Sequence, residues 1–268
     1  MANSSVETAN IPEILERKDG TMDDTVRRAV ERAIGAMHEK LGEELTIDDI
    51  ARAATFSKFH FSRVFQQATG VSPGRFLSAL RLDEAKRLLL TTSISVADIS
   101  HRVGYNGVGT FSTRFSNRVG LSPSAYRRQG GFQHRLAGEP LPGAKPAIVR
   151  GFVSAPPEIS PGLVFVGLFP TRIPEGAPVR HTVIDVPGPY QLTDVPEGTW
   201  HLVAHCVTGP LTRRGTGLTG HHGPITVEPG VTARLADLRV RPKRLFDPPV
   251  LLALPDLRHR PEPVRRAA

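Results

Sequence analysis

The chain has 268 residues, 39% of them hydrophobic, with a formal net charge of +8 and a pI near 10.2. That length favours one or two domains, each large enough for its own core, and the basic balance suits a polyanionic partner. No apolar run approaches a membrane span, the polar, acidic start lacks the apolar stretch of a signal peptide, and Cys206, the single cysteine, has no partner for an internal disulfide. The economical expectation is a cytoplasmic protein.

The charge is unevenly placed. Residues 1–51 hold 6 Lys/Arg and 12 Asp/Glu, residues 52–135 hold 13 against 3, and residues 136–268 hold 15 against 11. A phosphate-facing surface would concentrate its cations in this way. Of the 24 prolines, three precede residue 136. The predicted division is a disordered N-terminus at 1–20, an all-α domain at 21–130, a linker at 131–146, an all-β domain at 147–242 and a Pro/Arg-rich tail at 243–268, a multidomain α + β protein.

In chain order, Val26, Val30, Ile34, Met37 and Leu41 make an apolar stripe at helical spacing from about Asp24, with Gly42 as a stop. A repeat follows. Thr46, Ile47, Asp49, Ile50, Phe56, Phe61, Phe65, Gly70, Ser72 and Pro73 recur as Ser95, Val96, Asp98, Ile99, Tyr105, Phe111, Phe115, Gly120, Ser122 and Pro123. The offset is 49 before the central turn and 50 after it, so one inserted residue separates two congruent copies. Each copy reads as helix, tight turn, helix, the arrangement that presents one helix to a major groove.

Thr46 with Asp49, and Ser95 with Asp98, fit capping boxes. Ser57, Asn106 and Ser72 are expected to cap the helices that follow them, with Pro73 opening a long linker helix to about Leu90. Gly104 occupies the turn of the second copy, where positive φ suits glycine. Thr55 is its counterpart, which predicts a different turn in the first copy. With Phe61, Phe65, Phe111 and Phe115 inward, Phe59, Ser62, Arg63 and Gln66 are left for base edges in one groove, and Gly109, Thr110, Thr113 and Arg114 in the next. Lys58, Arg75, Arg102, Arg118, Arg127 and Arg128 are the phosphate-contact candidates. Arg81 is expected to pair internally with Asp98.

From about Asp24 to Arg128 the chain resembles the DNA-binding domain of AraC/XylS-family transcription regulators. The likeness lies in Ser57, Phe61, Arg63, Phe65, Gly70, Ser72, Pro73, Arg81, Leu82, Ala85, Leu88, Leu89, Asp98, Ile99, Gly104, Tyr105, Phe111, Phe115, Gly120, Ser122, Pro123, Tyr126 and Arg127. It implies that Phe59, Ser62 and Arg63 face bases in one groove and Gly109, Thr110 and Thr113 in the next. Thr113 stands where many relatives carry Arg, so the first unit is expected to dominate specificity.

Beyond residue 147 the pattern alternates. Residues 163–169 are apolar on both faces, like a central strand. His181 to Val186 alternates, Pro196-Glu197-Gly198 is a turn, and Trp200, Leu202, Ala204 and Cys206 share one face opposite His201, Val203 and His205. Ile225/Val227, Ala233/Leu235 and Leu238/Val240 suggest further strands with a phase slip. The expected architecture is a β-sandwich, and residues 188–200 look like the hairpin of transthyretin-like, carboxypeptidase-regulatory-type sandwiches. The tail is expected to be loosely ordered, with residues 250–254 able to dock.

His201, His205, Cys206, His221 and His222 suggest zinc by residue type. Strand geometry sets Cys206 opposite His201 and His205, and His221 and His222 read as part of a Gly-rich loop, so neither metal nor cofactor is expected. No Gly-x-Ser-x-Gly elbow, carboxylate pair or cysteine-centred signature places a catalytic group, so no enzyme is expected either. The sequence thus points to a sequence-specific transcription regulator binding double-stranded DNA through two helix-turn-helix units. RNA polymerase, a small-molecule effector and self-association through the β domain are further partners this reading allows. The alternative is a ligand- or protein-binding β-sandwich with the helices as an interaction platform.

Overall fold

The computed structural model describes residues 23–133, 147–159, 162–206, 217–230 and 232–255. The expectations for residues 1–20, for most of the 131–146 linker and for residues 256–268 of the tail lie outside the described residues.

Among the described residues seven helices come first: α1 (Asp24–Glu39), α2 (Ile47–Ala53), α3 (Lys58–Thr69), α4 (Pro73–Thr91), α5 (Val96–Arg102), α6 (Val108–Val119) and α7 (Pro123–Arg128). Asp23 caps α1 by accepting from the Thr25 and Val26 N–H groups. The α1 stripe of Val26, Val30, Ile34 and Met37 is fully buried against α2 and α3. The decisive element is α4, which is apolar on more than one face. Phe76, Leu77 and Leu80 belong to a core with α1, α2 and α3, whereas Ala79, Leu82, Ala85, Leu88 and Leu89 belong to a second core with α5, α6 and α7. Its 19 residues make a strut that, at the usual rise, is roughly 28 Å long. None of the helices among the described residues is long and apolar enough to cross a membrane.

Nine strands follow among the described residues: β1 (Ala147–Ser154), β2 (Gly162–Phe169), β3 (Arg180–Val186), β4 (Gly188–Val195), β5 (Gly198–Cys206), β6 (Leu218–Val227), β7 (Ala233–Leu235), β8 (Leu238–Arg239) and β9 (Arg241–Pro242). One sheet has the order β4-β1-β7, with β8 also paired to β1; the other has the order β3-β2-β5-β6-β9. Most pairings are antiparallel, but β7 and β8 run parallel to β1. Val149, Val153, Tyr190 and Leu192 from the first sheet meet Val164, Val166, Leu168, Leu202, Ala204 and Cys206 from the second in one core. The strand β2 is central and apolar on both faces, as its composition predicts. Phe165 and Phe169 fold over Gly167, where a Cβ would lie 2.6 Å from the Phe165 ring. Only glycine leaves room for that aromatic pair.

Three expectations fail here. The strand read at Ala233/Leu235 forms as β7, but its apolar residues are not the inward ones: both face outward, Leu235 being 76% exposed, and Ala236 with Leu238 fills the core. The main chain of β7 pairs in parallel with β1, so its side chains follow that ladder and not the hydrophobic count. His221 and His222 are not in a loop. They lie in β6, where His221 stands opposite Val203 and Thr219 opposite His205. His201, His205 and His221 therefore share the outer face of the five-stranded sheet. Among the described residues no three His, Cys, Asp or Glu side chains are grouped to hold a metal ion.

The third correction concerns residues 243–255, read above as part of a loose tail. Arg244 and Leu245 stay exposed, but residues 247–254 form a largely buried strap between the helices and the outer face of the five-stranded sheet, so the docking allowed for 250–254 occurs and extends further. Alternation makes it two-sided: Leu251 and Ala253 enter the second helical core, while Val250, Leu252 and Leu254 pack on Phe165, Phe169 and Val203. Its polar backbone is satisfied from both sides. The Ala253 N–H donates to Val119 O (2.8 Å), the Leu251 N–H to Pro174 O (2.9 Å), and the Gln133 N–H to Leu254 O (3.1 Å). Lys86 Nζ donates to Val250 O at 2.8 Å. Arg241 closes the strap's start with a two-point pair to Asp247 (2.7 and 2.9 Å).

Two predictions follow from this joint. Leu252 is 1% exposed, so Leu252→Ala should cost about 2–5 kcal/mol, read from the urea midpoint at an unchanged slope. Burial, with Lys243 and Lys86 nearby, pushes His205 down to about 3, and burial with Arg172 takes His221 to about 4, against an ordinary 6.5. Below 6.5 the unfolded chain binds protons that the folded chain refuses, so stability falls as pH drops from 6.5 toward 4. His205→Phe should flatten that decline in thermal melts across the same range.

Candidate nucleic-acid interface

The two helix pairs, α2–α3 and α5–α6, are built from the same local chemistry. Thr46 Oγ1 accepts from the Asp49 N–H while the Asp49 carboxylate accepts from the Thr46 N–H, a complete capping box. Ser95 Oγ accepts from the Asp98 N–H and donates to the Asp98 carboxylate. These bonds hold both carboxyls below the usual aspartate range. Behind the pairs the aromatic packing repeats. Phe61 and Phe65 lie 5.4 Å apart, Phe111 and Phe115 5.6 Å apart, and Phe65–Phe76 and Phe115–Tyr126 both meet edge to face.

The turns are closed alike, contrary to the sequence expectation. Gly104 donates to His101 O and Tyr105 to Ser100 O; Thr55 donates to Arg52 O and Phe56 to Ala51 O. Both are Schellman closures requiring a left-handed residue after the helix. Gly104 supplies φ 79° easily, whereas Thr55 is held at φ 64°, an uncommon state for a β-branched residue. Arg32 Nη2 steadies it, donating to Ala54 O and Thr55 Oγ1. The inserted residue lies just beyond, so α6 begins after Gly107 and Asn106 is not its cap. Ser57 and Ser72 occupy cap positions but make no side-chain cap bond.

The base-reading candidates stand on uncovered surfaces. Phe59 is 80% exposed, too exposed for a packing role. Arg63 and Gln66 are exposed beside it and Ser62 is half-buried, its hydroxyl donating to Lys58 O. On α6, Gly109, Thr110, Thr113 and Arg114 are all exposed, with the Arg114 guanidinium 5.9 Å from the Tyr105 ring. That stacking was not anticipated, though the i, i+9 aromatic–arginine pairing across the turn is visible in the sequence.

The phosphate candidates divide. Lys58, Arg102 and Arg128 are exposed on the helices, Lys58 in a surface pair with Asp48 at 2.9 Å that a phosphate could exchange at little cost. The other three are engaged elsewhere. Arg127 turns inward, Nε donating to Leu89 O (3.0 Å) and Nη2 to Ile94 O (2.8 Å). Arg75, at the start of α4, and Arg118, on α6, both bind Glu175 of the loop between β2 and β3, at 3.0 and 2.8 Å. Sequence reasoning had no means to see that carboxylate, which lies 100 and 57 residues away. Arg81 does not meet Asp98. It donates to Leu41 O and Glu43 O (3.1 and 2.7 Å) and lies against Gly104.

A helix-turn-helix domain family matches residues 50–129, within the helical part. Over 104 residues the chain is 30% identical to the lactose operon transcription activator of Staphylococcus xylosus, covering 39% of this chain and 37% of that protein. It is 36% identical over 87 residues to the HTH-type transcriptional activator AarP of Providencia stuartii, covering 32% of this chain and 64% of that one. A solved AraC-type regulator from Chromobacterium violaceum is 29% identical, with TM-score 0.38, across 40% of this chain and 96% of that chain. The chain thus spans less than two thirds of the length of these curated relatives.

The left-handed threonine yields a prediction. Thr55→Gly relieves a backbone state that costs a non-glycine residue about 1 kcal/mol or more, and should raise unfolding stability in urea. Gly104→Ala should lower it, because a Cβ there meets Leu41 O at 2.7 Å.

Proposed function

We propose that this chain, whose residues 50–129 match a helix-turn-helix domain family, is a sequence-specific DNA-binding transcription regulator of AraC type. In this reading α2–α3 and α5–α6 are two helix-turn-helix units, set in successive major grooves by α4. The observation that carries it is the pairing of the two exposed faces: Phe59, Arg63 and Gln66 on α3, and Thr110, Thr113 and Arg114 on α6, are left free by two separate cores that share one helix.

Arg63 and Gln66 suit guanine and adenine edges, and Phe59 a thymine methyl. Lys58, Arg102 and Arg128 supply phosphate contacts, while Arg75, Arg118 and Arg127 are withdrawn from that role by their carbonyl and Glu175 partners. Because the units follow in tandem along the chain, the preferred site is asymmetric. The paired sheets are read as a β-sandwich of transthyretin-like kind that serves effector binding or assembly, with the domain boundaries near residues 130 and 147.

Arg63→Ala is expected to cost about 1–3 kcal/mol in DNA affinity and to relax preference at one base position. Selection from a random duplex pool, followed by anisotropy titrations at several salt concentrations, measures both effects. A uniform loss across all sequences would make Arg63 a phosphate contact, and an affinity indifferent to salt would sink the DNA-binding reading.

A further inference from the structure

A cavity of about 260 Å³ lies where the first helix pair meets the strands, lined among others by Gln66, Ser72, Arg75, Thr171, Arg172 and His201. Its walls are polar and its charge is one-sided. Arg172 lies directly over Gly70, where a Cβ would come within 2.3 Å of its side chain. Its Nε is buried with no hydrogen-bond partner. Burial of a guanidinium donor without an acceptor is unfavourable, and burial also depresses the basicity of Arg172. The carboxylates nearby are committed: Asp247 holds Arg241 and the Arg244 N–H, and Glu175 holds Arg75 and Arg118. Arg172 lines the cavity with Arg75 and His201, and the carboxylate whose charge reaches it, Asp247, is hydrogen-bonded to Arg241 instead.

We propose that this cavity is a binding site for a small oxyanion, a carboxylate or phosphate group, seated on Arg172 and Arg75. A planar or tetrahedral oxyanion supplies the acceptors that a guanidinium fork lacks here. Ser72 adds a hydroxyl with no cap bond to give up, while Thr171 Oγ1 accepts from Arg75 Nη2 and donates to Ile173 O, holding Arg75 at the cavity wall. Occupancy has a mechanical consequence. An anion on Arg75 competes with Glu175, whose other partner is Arg118 on α6, so the ligand loosens a carboxylate that ties α4 and α6 to the strand part. Gln66 borders the same cavity from the exposed face of α3. The consequence for DNA rests on the function proposed above; the site itself does not.

The test uses the full chain without DNA. Calorimetric titration with inorganic phosphate, and in a second arm with malonate, should give saturable binding in the millimolar range or tighter, and the stronger arm identifies the anion class. Arg172→Met keeps the stem over Gly70 and should weaken binding about tenfold or more, as loss of a charged hydrogen bond predicts. Arg150→Met, on the exposed side of β1, should leave it unchanged. If Arg172→Met fails to fold, Arg75→Gln, at a half-exposed residue, carries the same expectation. No saturable binding in either arm, or binding indifferent to these variants, overturns the proposal. DNA titrations of the same samples keep the two claims apart: anion binding without DNA binding sinks the regulator and leaves the cavity site, and the reverse sinks the site alone.

Discussion

Everything in the helical part depends on α4 being buried twice. A helix that packs into one core can be repositioned by rotating about it; one that packs into two cores at successive stretches cannot turn without opening both. Phe76 and Leu80 fix its start against α1 and α3, and Leu82, Ala85 and Leu89 fix its end against α5 and α6. The relation between the exposed faces of α3 and α6 is therefore a packing property. It does not rely on the loops, whose hydrogen bonds close each turn but do not span the two pairs.

The strand part is joined to this frame by two different kinds of contact. One is apolar and extensive: the strap, whose alternate residues enter opposite cores. The other is ionic and small: Glu175, 17% exposed, shared by Arg75 and Arg118. The first resembles an interior and is expensive to open; the second exchanges partners readily. The Arg172 cavity adjoins the second through Arg75, so the interface contains both a fixed seam and an adjustable point.

Much of this was legible in the sequence where local chemistry decides. The inward Phe61, Phe65, Phe111 and Phe115, the caps at Thr46 and Ser95, the Pro73 start of α4 and the central character of β2 all follow from spacing and residue type. What could not be read depends on partners far along the chain. Arg75 and Arg118 look like phosphate ligands until Glu175 is placed beside them. His221 reads as loop because Gly220 and Gly223 flank it, yet it pairs with Val203 in β6. That residues 250–254 could dock was readable from their apolar run, but the two opposite cores they enter were not. Thr55 misled in the opposite sense: the expected change of turn did not occur, because repeated hydrogen bonding and Arg32 hold a threonine where its twin is glycine.

The strap has a consequence for synthesis. The helices are complete by residue 128 and contain all of the first core's principal side chains, so they can collapse while the ribosome is still translating the strands. Their union with the sheets must wait for residues 250–254, which emerge more than a hundred residues later. The nascent helical part therefore passes through a period in which its second core lacks Leu251 and Ala253, and its docking surface is open to whatever apolar segment reaches it first.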